Sequence, residues 1–271
     1  VRRLLAAIGL VVVAVFVYGA YREYEHAGVL LQPAVVARGM DPQQALSPGP
    51  GARLMRLMRG PALPSQRPKL VALTFDDGPY PVTTPLLLDA LHDLGIHATF
   101  FLIGRDAQQF PQLARRIAAS GNEIANHTLD HPERFDRLSA AQVRGELDGG
   151  REALQAYTND PAIATMFRPP HGRYTAATLV AAQQAGYDVM LWNDDPGDWR
   201  SVTEQALATH IEARATQPDV ILLHSGRLAT IAMLPEIAQR FRAAGYDFVT
   251  AGELLRRVGA AAINDPAKHP L

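Results

Sequence analysis

From residue 69 onward, short apolar runs and amphipathic stretches alternate along the chain, and the alternation predicts most of its elements. The run Val71-Ala72-Leu73-Thr74-Phe75 halts on Asp76, Asp77, Gly78 and Pro79, which reads as a buried strand ending in a turn. Residues 85–94 place Leu87, Leu88, Leu91 and Leu94 on one helical face. They open on Thr83, Thr84 and Pro85 and close at Gly95, the pattern of a capped amphipathic helix. Strands follow at 97–103 and 122–125, with a helix over about 107–119 between them. Further helices are predicted over about 140–157 and 176–185, from near Ser201, where Ser201 and Glu204 have capping-box spacing, and over 229–244 and 252–258. Strands are predicted at 165–168, 187–192, 220–224 and 246–249. About seven β/α units in this order imply an α/β fold with a parallel sheet, curled into a closed or nearly closed barrel. An open doubly wound sheet is the alternative.

Ahead of residue 69 the pattern is different. Residues 4–20 form an unbroken apolar run behind Arg2 and Arg3 and ahead of Tyr21, Arg22 and Glu23. A run of about 17 residues is at the short end of what spans a bilayer. The basic flank keeps the N-terminus in the cytoplasm and sends the rest of the chain outside. The expectation is an uncleaved signal anchor, a transmembrane helix over 1–24, against the competing reading of a cleaved signal peptide and a secreted protein. Residues 25–68, rich in Pro, Gly, Gln and Arg around Ser47-Pro48-Gly49-Pro50-Gly51, read as a tether without a core. Within it, 52–58 is a candidate short helix lying on the domain or on the membrane. The folded domain is expected over 69–259 and a tail over 260–271.

Composition narrows the chemistry. Among 271 residues, 26 Lys and Arg balance 27 Asp and Glu, which argues against a nucleic-acid binder. The absence of cysteine rules out disulfides and thiolate sites, so any metal has to be held by His, Asp or Glu.

Candidate ligands stand where strands end. Asp76 and Asp77 close the first strand and point in different directions, so one can bind a metal while the other stays free as a base. His127 and His131, four residues apart after the third strand, would share one face of a helical turn and converge on one ion. One carboxylate with these two imidazoles makes the three-ligand set of a catalytic zinc-type site, suited to Zn²⁺, Co²⁺ or Ni²⁺ better than to Mg²⁺. Phe167-Arg168-Pro169-Pro170-His171-Gly172 adds an arginine and a stiffened loop. Asp195-Pro196-Gly197-Asp198-Trp199 adds two acids and an aromatic, and Leu222-Leu223-His224 ends a strand on a histidine.

In this order, Thr74-Phe75-Asp76-Asp77-Gly78-Pro79, His127-Thr128-x-x-His131, Asp195-x-x-Asp198-Trp199 and Leu222-x-His224, with the strand Ala98-Thr99-Phe100-Phe101, resemble the polysaccharide deacetylase family. These are the carbohydrate esterases of family 4 with a NodB-type domain, and the resemblance covers about residues 69–258. It implies a distorted (β/α)7 barrel and hydrolysis of an acetyl group, N-acetyl foremost, on an envelope or extracellular polysaccharide. By the resemblance, Asp77, His127 and His131 are the metal ligands, with zinc the first candidate ion. Asp76 is the general base, oriented and kept ionised by Arg168. His224 is the general acid, and Asp198 partners either Arg168 or that histidine, with Asp195 the second candidate. Trp199 and Leu222 wall the slot for the acetyl methyl, and the backbone N–H of His171 donates to the oxyanion. Two positions depart from the family's pattern: His171 stands where tyrosine is usual, and Ser225 where aspartate is frequent. The expected partners are an acetylated glycan and the membrane, with no nucleic acid and no protein partner. The alternatives are a metal amidohydrolase acting on a small non-sugar amide, and a catalytically silent, membrane-tethered glycan-binding module.

Overall fold

The computed structural model describes residues 54–55, 69–158, 165–192, 194–200, 206, 210 and 219–258. The expected anchor over 1–24, nearly all of the tether, the Ser201–Glu204 capping box and the tail after 259 lie outside these residues. Among the described residues no helix is long and apolar enough to cross a membrane.

The strands are β1 (Leu54–Met55), β2 (Leu70–Asp76), β3 (Thr99–Leu102), β4 (Glu123–Asn126), β5 (Met166–Phe167), β6 (Asp188–Met190), β7 (Asp219–His224) and β8 (Asp247–Phe248). All their pairings are parallel, in the order β1-β6-β5-β4-β3-β2-β7, with β8 on the start of β2. Val71 pairs with both Asp219 of β7 and Phe248 of β8, so β8 lies on the β3 side, below the point where β3 joins. Helices α1 (Thr83–Asp93), α2 (Gly104–Gln109), α3 (Pro111–Ala119), α4 (Ala140–Leu154), α5 (Ala176–Gln184), α6 (Leu228–Ala243) and α7 (Ala251–Val258) fill the connections.

The expected barrel is a curled parallel sheet. Among the described residues its two ends share no ladder. After β6 the chain makes one parallel bridge, Asp194 to Ile221, with the Leu222 N–H donating to the Asp194 carbonyl at 2.9 Å. Strands β5 and β6, of two and three residues, supply too few ladder bonds to close the ring evenly. Within the candidate helix over 52–58, the two described residues differ from expectation as well. Leu54 and Met55 are not helical but pair with Val189 and Met190 at the edge of β6, covering backbone groups that an open edge leaves unpaired.

Alternation along β2 sorts its residues. Val71, Leu73 and Phe75 face outward into the main core with Leu87 and Leu91 of α1, Ile117 of α3 and Leu234, Ile237 and Phe241 of α6. Leu70 and Ala72 face inward against Val220, Val249 and Leu254. Phe101 of β3 does the same with Ala125, Met166, Met190 and Ala251. Helix α7 therefore stoppers the lower end of the curled sheet. Each fully buried Leu or Phe contributes roughly 1.5–3 kcal/mol, and Thr99 and Glu123 add hydrogen bonds to the start of α7, the Thr99 hydroxyl accepting from the Ala251 N–H and Glu123 from the Gly252 N–H. Thr74 and Asp76 are next in the inward series of β2.

Candidate active site

Asp76 and His224 are register partners at the C-terminal ends of β2 and β7, directly above the paired Thr74 and Leu222. The buried guanidinium of Arg168, just beyond β5, donates through Nη1 to Asp76 Oδ1 at 2.6 Å and to Thr74 Oγ1 at 2.9 Å. Its Nε and Nη2 donate to the carbonyls of Met190 and Leu191 at 3.2 and 3.3 Å, and it lies 4.0 Å from the centre of the Phe101 ring. Such complete pairing is what lets an arginine sit in the interior. Burial pushes the Asp76 carboxyl above its ordinary range, while Arg168 and then His224 pull it back in part. Arg168 thus orients the carboxylate as expected. The net direction is nevertheless upward, because desolvation outweighs the guanidinium.

Beside this pair, one ligand atom each from Asp77, His127 and His131 lie within 4.8 Å of one another. Asp77 Oδ1 is 3.6 Å from His127 Nε2 and 3.5 Å from His131 Nε2. His127 Nδ1 is 2.8 Å from the Arg168 carbonyl, which can only accept, so Nδ1 carries the proton and the Nε2 lone pair faces Asp77. Burial, the strongest influence, lowers this imidazole to about 4 against the opposing pull of Asp77, and so keeps it neutral. A carboxylate oxygen and a bare imidazole nitrogen held this close repel each other unless a cation lies between them. The N₂O donor set fits Zn²⁺, Co²⁺ or Ni²⁺.

The two histidines do not share a helical turn. Thr128 and His131 have φ of 70° and 52°, left-handed values that break any α-turn between them, yet the ring centroids are 4.8 Å apart. Asp77 (φ 71°) and His171 (φ 55°) are the other non-glycine residues with positive φ among the described residues, so backbone strain is concentrated at this one site.

On the other side, Asp198 is wholly buried and accepts from the backbone N–H of His224 (2.8 Å), from His224 Nδ1 (2.7 Å) and from Thr230 Oγ1 (2.7 Å). Asp198 therefore partners the histidine and not Arg168. Asp195 instead accepts from the Gly197 N–H, and burial raises its carboxyl. Burial pulls His224 down, but Asp198, aided by Asp77 and Asp76, outweighs it and leaves the imidazole raised to about 9. With Nδ1 tied to Asp198, Nε2 is the nitrogen free to exchange a proton.

His171 sits in the turn Pro170–Gly172 with its ring edge-on to His131, centroids 4.7 Å apart, and Nε2 3.5 Å from Glu133 Oε2. Leu222 lies inward and buried on β7. Trp199 stands one residue beyond Asp198, with Arg200 over its ring at 4.6 Å. Ser225 is buried, its hydroxyl 3.1 Å from the carbonyls of both Asp76 and Asp77. The pattern along the chain did not single out Thr74, Thr230 or Glu133. Thr74 was within reach, two positions before Asp76 on the same strand face. Thr230 carried no local signal.

The family model described as polysaccharide deacetylase matches residues 64–190. A peptidoglycan-N-acetylglucosamine deacetylase of Bacillus cereus is 36% identical over 193 residues, 69% of this chain and 89% of that protein. A chitooligosaccharide deacetylase of Sinorhizobium fredii is 39% identical over 161 residues, 58% of this chain and 72% of the relative. Among solved structures, the Bc1960 peptidoglycan N-acetylglucosamine deacetylase aligns with a TM-score of 0.67 at 30% identity, covering 74% of this chain and 92% of that one.

Proposed function

We propose that this chain, which belongs to the polysaccharide deacetylase family, removes N-acetyl groups from an acetylated envelope glycan such as peptidoglycan with the help of one divalent metal ion, zinc first. The named activities of its relatives support the reaction type. The observation that carries the reading is the facing pair Asp76 and His224, one buttressed by Arg168 and the other by Asp198, beside the Asp77, His127 and His131 trio.

An amide resists hydrolysis because its carbonyl is a weak electrophile and its nitrogen leaves only when protonated. Asp77, His127 and His131 would hold the metal, which when bound polarises the acetyl carbonyl and makes water easier to deprotonate. Asp76, a stronger base for having its carboxyl raised, takes a proton from the attacking water while Arg168 holds it in line. The water oxygen bonds to the carbonyl carbon, and the N–H of His171 donates to the oxygen on which charge develops. His224 gives its Nε2 proton to the sugar nitrogen, the C–N bond breaks, and acetate and a free amine remain. Leu222 and Trp199 flank the acetyl methyl.

The same proposal places the enzyme on a membrane, its catalytic domain outside the cytoplasm, because Arg2 and Arg3 precede the apolar run. Protease treatment of intact spheroplasts tests that placement, and a soluble form beginning near Tyr21 would replace the anchor with a cleaved signal peptide. Mass spectrometry of peptidoglycan fragments and chitooligosaccharides, with and without added Zn²⁺, tests the reaction. Loss of acetyl groups only in the presence of metal is the expected result. Turnover of small amides alone would favour the amidohydrolase alternative, and glycan binding without turnover the silent module.

A further inference from the structure

Helix α4 carries two adjacent glycines, Gly149 and Gly150, near its middle, where helix propensity disfavours glycine strongly. The space they leave is occupied. A Cβ on Gly149 would meet Leu129 Cδ2 at 2.8 Å, and one on Gly150 would meet Asn126 Oδ1 at 2.3 Å and the backbone carbon of Thr128 at 2.9 Å. Gly104, the first residue of α2, closes the other side: a Cβ there would meet the Gly150 Cα at 3.0 Å and Leu129 Cδ1 at 3.2 Å. Gly145, on the same helix, faces nothing within 4 Å. The crowding is therefore a property of one notch and not of the helix.

The segment seated in that notch is the one that carries His127 and His131. Asn126 Nδ2 donates to the Leu147 carbonyl at 2.9 Å, and its Oδ1 accepts from the Thr128 N–H at 2.8 Å. The Leu129 N–H donates to the Glu146 carbonyl and the Asp130 N–H to Glu146 Oε2, both at 3.0 Å. From α2, the N–H groups of Gly104 and Arg105 donate to the carbonyls of Thr128 and Leu129, each at 2.9 Å. Thr128 Oγ1 accepts from the His131 N–H at 3.0 Å, which fixes the far end. Left-handed Thr128 and His131 would relax to ordinary backbone if these clamps were released.

We infer that this glycine notch is the device that preforms the metal site, with Gly149, Gly150 and Asn126 as positioning residues that hold His127 and His131 in place through Leu129 and Thr128. The inference rests on the reading above that these two histidines are ligands. It turns on small size at Gly149 and Gly150, a requirement opposite in sign to what a helix favours.

Full-length protein is stripped with a chelator and titrated with Zn²⁺ against a chromogenic competitor, with thermal unfolding of each variant as the control for folding. Gly150→Ala should fold and bind Zn²⁺ roughly 10–100-fold more weakly, the range seen when outer partners of metal ligands are lost. Gly145→Ala should keep wild-type affinity and unfold at a higher temperature, because alanine is the better helix residue. Asn126→Ala, which adds no atom to the notch, should weaken Zn²⁺ as Gly150→Ala does, and decides the matter should Gly150→Ala not fold. A folded Gly150→Ala or Asn126→Ala protein with wild-type Zn²⁺ affinity would overturn the inference. Wild-type affinity in His127→Ala would instead overturn the ligand assignment beneath it, so the two failures are distinguishable.

Discussion

The two sides of the pocket place their histidines by opposite means. His127 and His131 lie on a loop with left-handed backbone, clamped by α2 and α4. His224 ends a regular strand, its place set by register with Asp76 and by two bonds to Asp198. His127 is buried and His224 half-buried, and desolvation disfavours the charged imidazole in each. For His127 it prevails and the ring stays neutral, with a lone pair to offer. For His224 a buried carboxylate reverses it and the ring keeps a proton to give. Desolvation thus leaves an imidazole neutral or is overridden, according to whether a carboxylate is bonded to it.

The largest expected effect breaks the metal side. His127→Ala should lose bound zinc and activity together while the domain stays folded. Asp76→Asn should keep its zinc and lose roughly 10²–10⁴-fold in turnover, the usual reach of general base catalysis. Elemental analysis beside initial rates checks both, and equal zinc loss in the two variants would exchange the roles of Asp76 and Asp77.

The acid side responds through pH. Asp76 accepts only while ionised and His224 donates only while protonated, so kcat/KM should be bell-shaped, falling at acid pH as Asp76 is protonated and at alkaline pH above the raised value of about 9. In Asp198→Asn the charge that opposes burial is gone, the histidine loses its proton earlier, and the alkaline limb moves to lower pH. An unmoved limb would remove Asp198 from the acid's support. Thr230→Val removes one donor from Asp198, leaves its charge less shared, and should shift the same limb by less and toward higher pH.

The smallest effect is the most local. Chelation should speed amide hydrogen exchange at Thr128 and His131 only slightly, because the clamps of α2 and α4 hold that loop without the ion, and leave the His224 amide protected by Asp198. Equal acceleration at both places would mean that the two sides do not differ in how they are held.

Much of this was legible along the chain because it is local. Asp76 and Asp77 at a strand end and the apolar face of α1 follow from a short apolar run that stops at a turn and from the period of 3.6 residues. The spacing of His127 and His131 was read correctly as convergent but assigned to a helical turn. The pattern of residue types cannot show that Thr128 and His131 turn left-handed. That Leu54 and Met55 pair as a strand is likewise hidden from local propensity, since the pairing edge, Leu54 with Val189, lies 135 positions away.

A parallel α/β domain, the strand ends that bear reactive groups and the family those groups belong to can all be read along the chain. Each of these depends on residues a few positions apart, whose geometry the helix or strand repeat sets. Folding alone settles that Asp198 serves His224 and not Arg168, that burial outweighs Arg168 at Asp76, and that the loop of His127 and His131 rests in a notch cut by Gly149 and Gly150. Those outcomes depend on strand register, desolvation and contact between distant segments, and such quantities exist only once the chain has closed on itself.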